Sequence, residues 1–297
     1  MPITSPLFEP VYFYDKKIII KRDDLIDAPI SGNKFFKLYG LLKQLQKGDI
    51  PQKIVSLGGY QSNYMQAVAA LTYHYQIPFD YWTRKVPANI KCAPQGNLQS
   101  ALKLGMNLCE HEGKITTDFL HTYYAKSHSG KDICILPQGG AASQAEAGMI
   151  VSATQIKHFL QKHNIAKASI FVASGTGATA FYLQKHLPCH QVVTTPCVGD
   201  KDYLIQQMHI LGNDVLPMII ESEKKYRFGQ CYREHLEMYE ALLQQTGITF
   251  DLLYDPIAWQ VLLANYDRLI KPVIYIHCGG VLGNQAMLAR YRYHQMR

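Results

Sequence analysis

Short runs rich in β-branched and aromatic residues alternate along the chain with longer stretches whose apolar residues recur at helical spacing. This alternation predicts parallel sheets with helices on both faces. The predicted strands are Ile54–Gly58, Phe79–Thr83, Asn107–Glu110, Ile133–Pro137, Ser169–Ala173, Gln191–Cys197, Asp214–Ile220 and Val273–His277. The predicted helices are Asn33–Gln46, Gln61–Tyr75, Gly96–Leu104, Ile115–Ser127, Ser143–His163, Thr179–His186, Asp202–Leu211, Arg233–Thr246 and Ala258–Arg268.

The composition is that of a globular protein of 297 residues, 47% hydrophobic and 18% charged. The formal charge is +7, but the basic residues are spread along the chain, so we expect no nucleic-acid partner. No apolar run is long enough for a membrane helix and the first residues do not resemble a signal peptide, so we expect a cytoplasmic protein. The seven cysteines form no C-x-x-C pair and the 12 histidines show no metal-binding spacing, so we expect no metal.

Ligands of parallel sheets bind beyond the carboxyl ends of the strands, so the joints between strands and helices are the candidate sites. In "SLGGYQSNYMQAVAAL" a glycine pair is followed by Ser62 and Asn63 at the predicted start of a helix. Free N–H groups at a helix start favour an anion such as a carboxylate. The alternative is that Ser62 or Asn63 only caps the helix.

A second joint, "FVASGTGATAFYL", places Ser174, Gly175, Thr176, Gly177, Ala178 and Thr179 between a strand and a helix. Glycines, hydroxyls and a helix start together provide hydrogen-bond donors for a phosphate. The spacing is neither that of a Walker A loop nor G-x-G-x-x-G, which favours a single phosphomonoester over a nucleoside triphosphate. A glycine-rich turn without a ligand is the alternative. Glycine pairs also follow strands at Gly139–Gly140 and Gly279–Gly280.

Lys34 lies just after a turn and at the start of an apolar helical stretch in "ISGNKFFKL". Most lysines are solvated surface charges. Beside a phosphate site, a lysine in this position is suited to form a Schiff base with an aldehyde cofactor. Pyridoxal 5′-phosphate supplies the aldehyde, a flat ring and a phosphomonoester.

The stretch "IIIKRDDLIDAPISGNKFFKL" resembles the lysine segment of the 1-aminocyclopropane-1-carboxylate deaminase and D-cysteine desulfhydrase family. The segments "GGYQSNYMQAVAA", "GNLQSALKLG", "ILPQGGAASQAEAGM", "ASGTGATAF", "TGITFDLLYDP" and "VIYIHCGG" follow in the order found in that family. The resemblance extends from about Lys21 to Gly280. It implies two open, mostly parallel twisted sheets flanked by helices, as in the tryptophan-synthase-β-like fold of pyridoxal-phosphate enzymes. It also implies a small domain, residues 48–147, inserted into a large domain formed by residues 1–47 and 148–297.

The resemblance also implies residue roles. Lys34 would bind the cofactor and residues Ser174 to Thr179 its phosphate, while Asn63 would hydrogen-bond the 3-oxygen of the ring. Ser62, with the backbone of Asn63 and Tyr64, would bind the substrate carboxylate, and Ser62 is an alternative to Lys34 for proton removal. Tyr254 would face the substrate, with core packing as the alternative. Asp255, placed where deaminases have glutamate, would pair with the ring nitrogen, with a structural turn as the alternative.

Six substitutions depart from the family pattern: Ser31, Phe36, Tyr39, Gln66, Gln230 and Ile257. Gln230 falls where the deaminases have a second active-site tyrosine, so the predicted reaction is α,β-elimination from a small amino acid, with D-cysteine as the leading substrate. Ring-opening deamination of 1-aminocyclopropane-1-carboxylate is the first alternative, and an inactive protein that binds an amino acid or the cofactor is the second. The family analogy predicts a homodimer.

Overall fold

The computed structural model describes residues 7–26, 30, 32–127 and 132–295. Its strands form two separate sheets, one of six strands in the order β1-β2-β10-β7-β8-β9 and one of four in the order β5-β4-β3-β6. The strands are β1 (Phe8–Phe13), β2 (Lys16–Lys21), β3 (Lys53–Leu57), β4 (Phe79–Thr83), β5 (Asn107–Glu110), β6 (Ile133–Leu136), β7 (Ser169–Ser174), β8 (Gln191–Pro196), β9 (Met218–Ile219) and β10 (Val273–Ile276).

The six-stranded sheet is parallel except at one edge, where β1 and β2 form an antiparallel hairpin. Tyr14 and Asp15 join the two strands with φ angles of 45° and 60°. Two successive positive φ angles are typical of the tight hairpin turn that matches the twist of a sheet. This hairpin was not predicted, although β2 is the strand that pairs with β10.

The four-stranded sheet is parallel throughout and consists of strands that lie between Lys53 and Leu136. Each strand continues into a loop or a helix before the next strand, as parallel pairing requires. The predicted domain boundaries at residues 48 and 147 stay a prediction.

The helices that cover the sheets are α1 (Asn33–Gln46), α2 (Asn63–Tyr75), α3 (Ala88–Cys92), α4 (Gly96–Lys103), α5 (Thr117–Ser127), α6 (Glu146–Lys162), α7 (Ala178–His186), α8 (Lys201–His209), α9 (Arg233–Thr246), α10 (Asp255–Asn265) and α11 (Asn284–Gln295). Helices α3 and α11 were not predicted. Helix α10 begins at Asp255 rather than Ala258, and the predicted strand Asp214–Ile220 is reduced to the two residues of β9.

The largest apolar core joins α1, α2, α6 and α7 to both sheets, and a second core lies between α10 and the six-stranded sheet. The α/β architecture with two mostly parallel sheets agrees with the prediction. Within the described ranges, no helix is both long and apolar enough to cross a membrane.

Candidate functional site

Lys34 is the second residue of α1, and the start of this helix is fixed against the loop that follows β10. Gly32 has a φ angle of 71°, and a Cβ atom at this position would lie 1.9 Å from the carbonyl oxygen of Cys278. The N–H of Asn33 and the Nζ of Lys34 both donate to that oxygen, each over 3.3 Å. Only glycine combines this positive φ with such close approach, so Gly32 sets where the lysine amine lies.

Lys37 follows one helical turn later on the same side of α1, and its Nζ donates to the carbonyl of Gly139 over 2.8 Å. Burial, together with the nearby charge of Lys34, lowers the pKa of Lys37 to about 8. Lys37 was not predicted as a site residue. Its spacing of three from Lys34 was the available signal, because residues three apart share one helix face.

The loop between β7 and α7 contains the predicted phosphate site. Gly177 has a φ angle of 76° and precedes the first turn of α7, whose N–H groups have no partners within the helix. A Cβ atom at Gly139 would lie 3.3 Å from the Cγ2 of Thr176, so the Lys37 amine and this loop meet at Gly139. A positive charge and the loop that leads into the free N–H groups of α7 therefore both adjoin Gly139.

The hydroxyls of Ser174 and Thr179 at the two ends of this loop have different surroundings. The Oγ of Ser174 accepts a hydrogen bond from Thr194 over 2.6 Å inside the sheet, and the Oγ1 of Thr179 accepts one from Asn33 over 3.1 Å. The Asn33 side chain is buried, and its Oδ1 has no hydrogen-bond partner among the described residues. The Ala178 side chain is buried in the core, so Ala178 contributes only its backbone.

At the start of α2, the Oγ of Ser62 caps the helix by accepting from the N–H groups of Tyr64 and Met65 over 3.2 and 3.3 Å. Ser62 therefore caps the helix, and its predicted role at a substrate carboxylate stays a prediction. The Tyr64 ring is buried and packs against Gly140. Asn63 lies in the site: its Oδ1 accepts from Asn97 over 2.6 Å, and its Nδ2 is 3.4 Å from Asp251 Oδ2.

Two buried carboxyl groups lie at the start of α10. They belong to Asp251 and Asp255, and each residue is 2% exposed. Asp255 accepts from the Tyr275 hydroxyl over 2.5 Å and from the N–H of Asp251 over 2.8 Å. Burial, and next the charge of Asp251, raise the pKa of Asp255 to about 8. Burial also raises the pKa of Asp251, and the charge of Lys34 opposes that shift. Asp251 was not predicted as a site residue, although "DLLYD" places the two carboxyls four residues apart.

Tyr254 precedes α10, and its ring lies between the loop that joins β7 to α7 (residues 174–179, called the phosphate loop below) and the segment that follows β9. A Cβ atom at Gly175 would lie 3.3 Å from this ring, and the ring of Phe228 is 5.0 Å from it, centre to centre. Gln230 is exposed instead and accepts from the Tyr232 hydroxyl over 3.1 Å. Phe228, which has no hydroxyl, is therefore the residue of "YRFGQCY" that packs on Tyr254.

The other substituted positions have separate surroundings. Ser31 lies outside the described residues. Phe36 is on the buried face of α1, and the Nζ of Lys21 is 4.8 Å from the centre of its ring. Ile257 is buried within α10. Gln66 lines a cavity of about 90 Å³ together with Lys34, Asn63, Asn97, Gly280, Val281 and Leu282. A larger surface groove of about 710 Å³ lies near Tyr73 and Leu104 and includes none of the predicted site residues.

Known proteins resemble this chain along most of its length. A Thermotoga maritima protein provisionally named 1-aminocyclopropane-1-carboxylate deaminase is 28% identical, with 91% of this chain and 90% of that protein covered. D-cysteine desulfhydrase of Serratia proteamaculans is 26% identical, with 90% and 88% covered. This chain is a relative of these deaminases and desulfhydrases. A bifunctional mitochondrial D-cysteine desulfhydrase and 1-aminocyclopropane-1-carboxylate deaminase of Arabidopsis thaliana is 26% identical, with 89% and 72% covered. No protein-family model matches the chain.

Solved structures support the fold. The crystal structure of an ACC deaminase homologue superimposes with a TM-score of 0.79 at 20% identity, covering 98% of this chain and 94% of that one. A hydrogen sulfide-producing enzyme of Fusobacterium nucleatum gives a TM-score of 0.63 at 12% identity, covering 93% and 94%. The predicted tryptophan-synthase-β-like fold is confirmed.

Proposed function

We propose that this relative of deaminases and desulfhydrases is a pyridoxal-phosphate-dependent enzyme that releases ammonia and a 2-oxo acid from a small amino acid. The observation that carries the proposal is the position of Lys34. Its amine adjoins a cavity of about 90 Å³ that Asn63 also lines, and it lies one helical turn from Lys37 at the phosphate loop. An amine with a phosphate site at that separation suits a cofactor that carries both an aldehyde and a phosphate.

The phosphate end of the site fits a dianion. The first turn of α7 offers N–H groups, and Lys37 offers a positive charge beside Thr176. The Lys37 amine donates to a backbone carbonyl and forms no salt bridge with a carboxylate among the described residues, and burial lowers its pKa to about 8. A phosphate placed there would supply an anionic partner, so Lys37 joins Ser174 to Thr179 in the proposed phosphate site.

The ring end also offers suitable groups. Asn63 has an amide beside the cavity, and the buried carboxyl of Asp255 is the group we assign to the ring nitrogen. When bound, the cofactor draws electrons from the α-carbon of the substrate. The residues of the chain bind the substrate, exclude water and move protons.

Lys34 is the group we assign to removal of the α-proton. Its Nζ donates to a backbone carbonyl rather than to a carboxylate, so the amine can give up a proton without breaking an ion pair. Ser62 is the alternative, since the N–H groups of Tyr64 and Met65 donate to its Oγ and would stabilise that oxygen in its deprotonated form. For D-cysteine, loss of the α-proton and of the thiol, followed by hydrolysis with one water, gives pyruvate, ammonia and hydrogen sulfide.

Ring opening of 1-aminocyclopropane-1-carboxylate is the second candidate, and the buried carboxyl of Asp255 favours it. The surroundings of Tyr254 oppose it, because its aromatic neighbour in the segment 221–232 is Phe228, which carries no hydroxyl. Both names occur among the relatives. We therefore rank elimination first.

The test is a panel of D- and L-amino acids, with D-cysteine and 1-aminocyclopropane-1-carboxylate included, scored by 2-oxo acid release. Pyruvate from D-cysteine supports elimination, and 2-oxobutyrate from the cyclic substrate supports ring opening. Lys34→Ala should abolish release and the absorption band of the bound cofactor. Lys43→Ala, an exposed position on the same helix, should change neither. A wild-type protein that forms no band with added pyridoxal phosphate would refute both candidates, and a band without turnover of any substrate would favour the inactive binding protein.

We further propose a cytoplasmic homodimer with a small amino acid as its ligand. The family resemblance supports the dimer. Sedimentation equilibrium of the purified chain tests it, and a mass of one chain would contradict it.

A further inference from the structure

The amide group of Asn63 is held from two opposite sides. Its oxygen accepts a hydrogen bond from Asn97 Nδ2 over 2.6 Å, and its nitrogen lies 3.4 Å from Asp251 Oδ2. The loop after β10 closes a third side, since a Cβ atom at Gly280 would lie 2.4 Å from the Asn63 nitrogen. Asn97 and Asp251 are 1% and 2% exposed, so water does not compete for these contacts.

These partners distinguish the two ends of the amide. Asn97 Nδ2 also donates to the backbone carbonyl of Gln61 over 3.0 Å, so Asn97 turns its NH₂ group toward Asn63. Asp251 in its ionised form can only accept. If the Asn63 amide turned over, two NH₂ groups would face each other at Asn97, and two oxygens would face each other at Asp251.

The elements that supply these partners lie far apart in the chain. Asn97 belongs to α4, which in chain order follows β4 and precedes β5 of the four-stranded sheet. Asp251 precedes α10, which packs on the six-stranded sheet. Asp251 is fixed in turn because its Oδ1 accepts from the N–H groups of Leu253 and Tyr254 over 2.8 and 2.7 Å. The orientation of Asn63 is therefore set from both sheets.

We propose that Asn97 and Asp251 are positioning residues that keep the NH₂ group of Asn63 oriented to donate to the ring oxygen of pyridoxal phosphate. The inference rests on the proposed function. The NH₂ group has two hydrogens, of which Asp251 takes one, and the other is left for the cavity that Asn63 shares with Lys34. A donor to an oxygen anion favours the anion, so a flipped amide would weaken binding and raise the pH at which the ring oxygen loses its proton.

The experiment is a double-mutant cycle on the holoprotein. Asn97→Ala removes the donor, and Asp251→Asn replaces the acceptor without changing its shape. In the second variant the N–H groups of Leu253 and Tyr254 retain the amide oxygen, so an NH₂ group faces Asn63. Each change is made alone and together with Asn63→Ala. Gln99→Ala, on α4 but outside this network, is the matched control.

Two quantities are measured: the dissociation constant of pyridoxal phosphate by equilibrium dialysis, and the pH midpoint of the absorption change of the bound cofactor. Lys34 and Asp251 lie beside Asn63, and Asp255 interacts with both of them, so these three charged groups also act on that midpoint. Each partner variant is therefore compared with its own Asn63→Ala double variant. Circular dichroism checks that each variant folds.

We expect Asn97→Ala, Asp251→Asn and Asn63→Ala each to weaken cofactor binding about two- to tenfold, as for loss of one hydrogen bond. Asn97→Ala and Asn63→Ala should raise the midpoint. Asp251→Asn should shift the midpoint upward relative to the shift it causes in the Asn63→Ala background, where only its loss of charge acts. In the Asn63→Ala background, the change at Asn97 should have no further effect, and Gln99→Ala should match the wild type. If both partner changes had the same effects with and without Asn63, or none at all, the inference would be wrong. If Asn97→Ala does not fold, the Asp251→Asn cycle decides alone. A wild-type protein that binds no pyridoxal phosphate would instead refute the proposed function.

Discussion

Replacing Lys37 by methionine tests the phosphate site without involving the Lys34 amine. Methionine keeps most of the aliphatic side chain and removes the charge that lies beside Gly139 and Thr176. The probe is pyridoxine 5′-phosphate, which carries the ring and the phosphate but has no aldehyde. A charge-assisted hydrogen bond contributes about 1.5–3 kcal/mol, so we expect binding to weaken about 10- to 150-fold.

The pH dependence gives an independent measure of the same contact. The pKa of Lys37 in the free protein is about 8, and a bound phosphate dianion raises it. Below pH 8 the amine is already charged, so the titration of Lys37 does not change the affinity with pH. Above pH 8 binding takes up a proton, and the affinity falls by up to about tenfold per pH unit until the pKa of the bound state is reached.

The assay is isothermal titration calorimetry between pH 7 and pH 10, where the phosphate keeps its double charge because its second pKa is near 6. Lys37→Met should bind weakly and lose the fall in affinity above pH 8. Lys43→Met, exposed on the same helix, should behave as the wild type. If Lys37→Met bound within twofold of the wild type and kept the same pH dependence, Lys37 would not contact the phosphate.

Three further predictions concern stability and reactivity. Gly32→Ala should lower the free energy of unfolding by about 2 kcal/mol or more in urea titrations, because the φ angle is 71° and the new methyl group would overlap the Cys278 carbonyl; an unchanged midpoint would contradict the contact. The pKa of Asp255 is raised from 3.8 to about 8, so the folded state binds more protons than the unfolded state between these values. The contribution of Asp255 to the free energy of unfolding should therefore fall as the pH rises from about 4 to 8, by at most ~1.4 kcal/mol per pH unit. Asp255→Asn should flatten this pH dependence, and an equally steep slope in the variant would show that another group causes it. Burial raises the pKa of the Cys278 thiol to about 12, so at pH 8 iodoacetamide should modify it more slowly than the exposed Cys92 and Cys189, as measured by peptide mass spectrometry; equal rates would show that the thiol is accessible.

The sequence predicted the elements with a clear periodic pattern. Helices α1 and α9 have the predicted bounds, because each combines a regular apolar stripe with a polar face. The hairpin of β1 and β2 was missed because its turn consists of Tyr14 and Asp15, which are not typical hairpin residues. Helix α11 was missed because its sequence, "NQAMLARYRYHQ", has only a short apolar pattern.

The candidate site was predictable only in part, for a physical reason. Lys34, Asn63 and the loop after β7 stand at strand–helix joints, where sequence patterns point to ligands. Asp251 and Asn97 act through contacts with Asn63 across 188 and 34 residues of chain. Such contacts arise from the packing of separate elements, and no local pattern in one sequence records them.

Three lysines near the start of α1 show how the surroundings of an amine decide its use. Lys21 is fully buried, forms an ion pair with Asp23 and lies over the ring of Phe36, so its charge has a structural role. The carbonyl of Asp23 in turn accepts from the N–H of Gly32 over 2.9 Å, which ties this ion pair to the turn before Lys34. Lys34 and Lys37 instead donate to the backbone carbonyls of Cys278 and Gly139, which hold no charge. A carbonyl orients an amine without opposing its deprotonation as a carboxylate does. The buried ion pair thus supports the helix start, while the two amines that follow stay available for the aldehyde and the phosphate of the proposed cofactor.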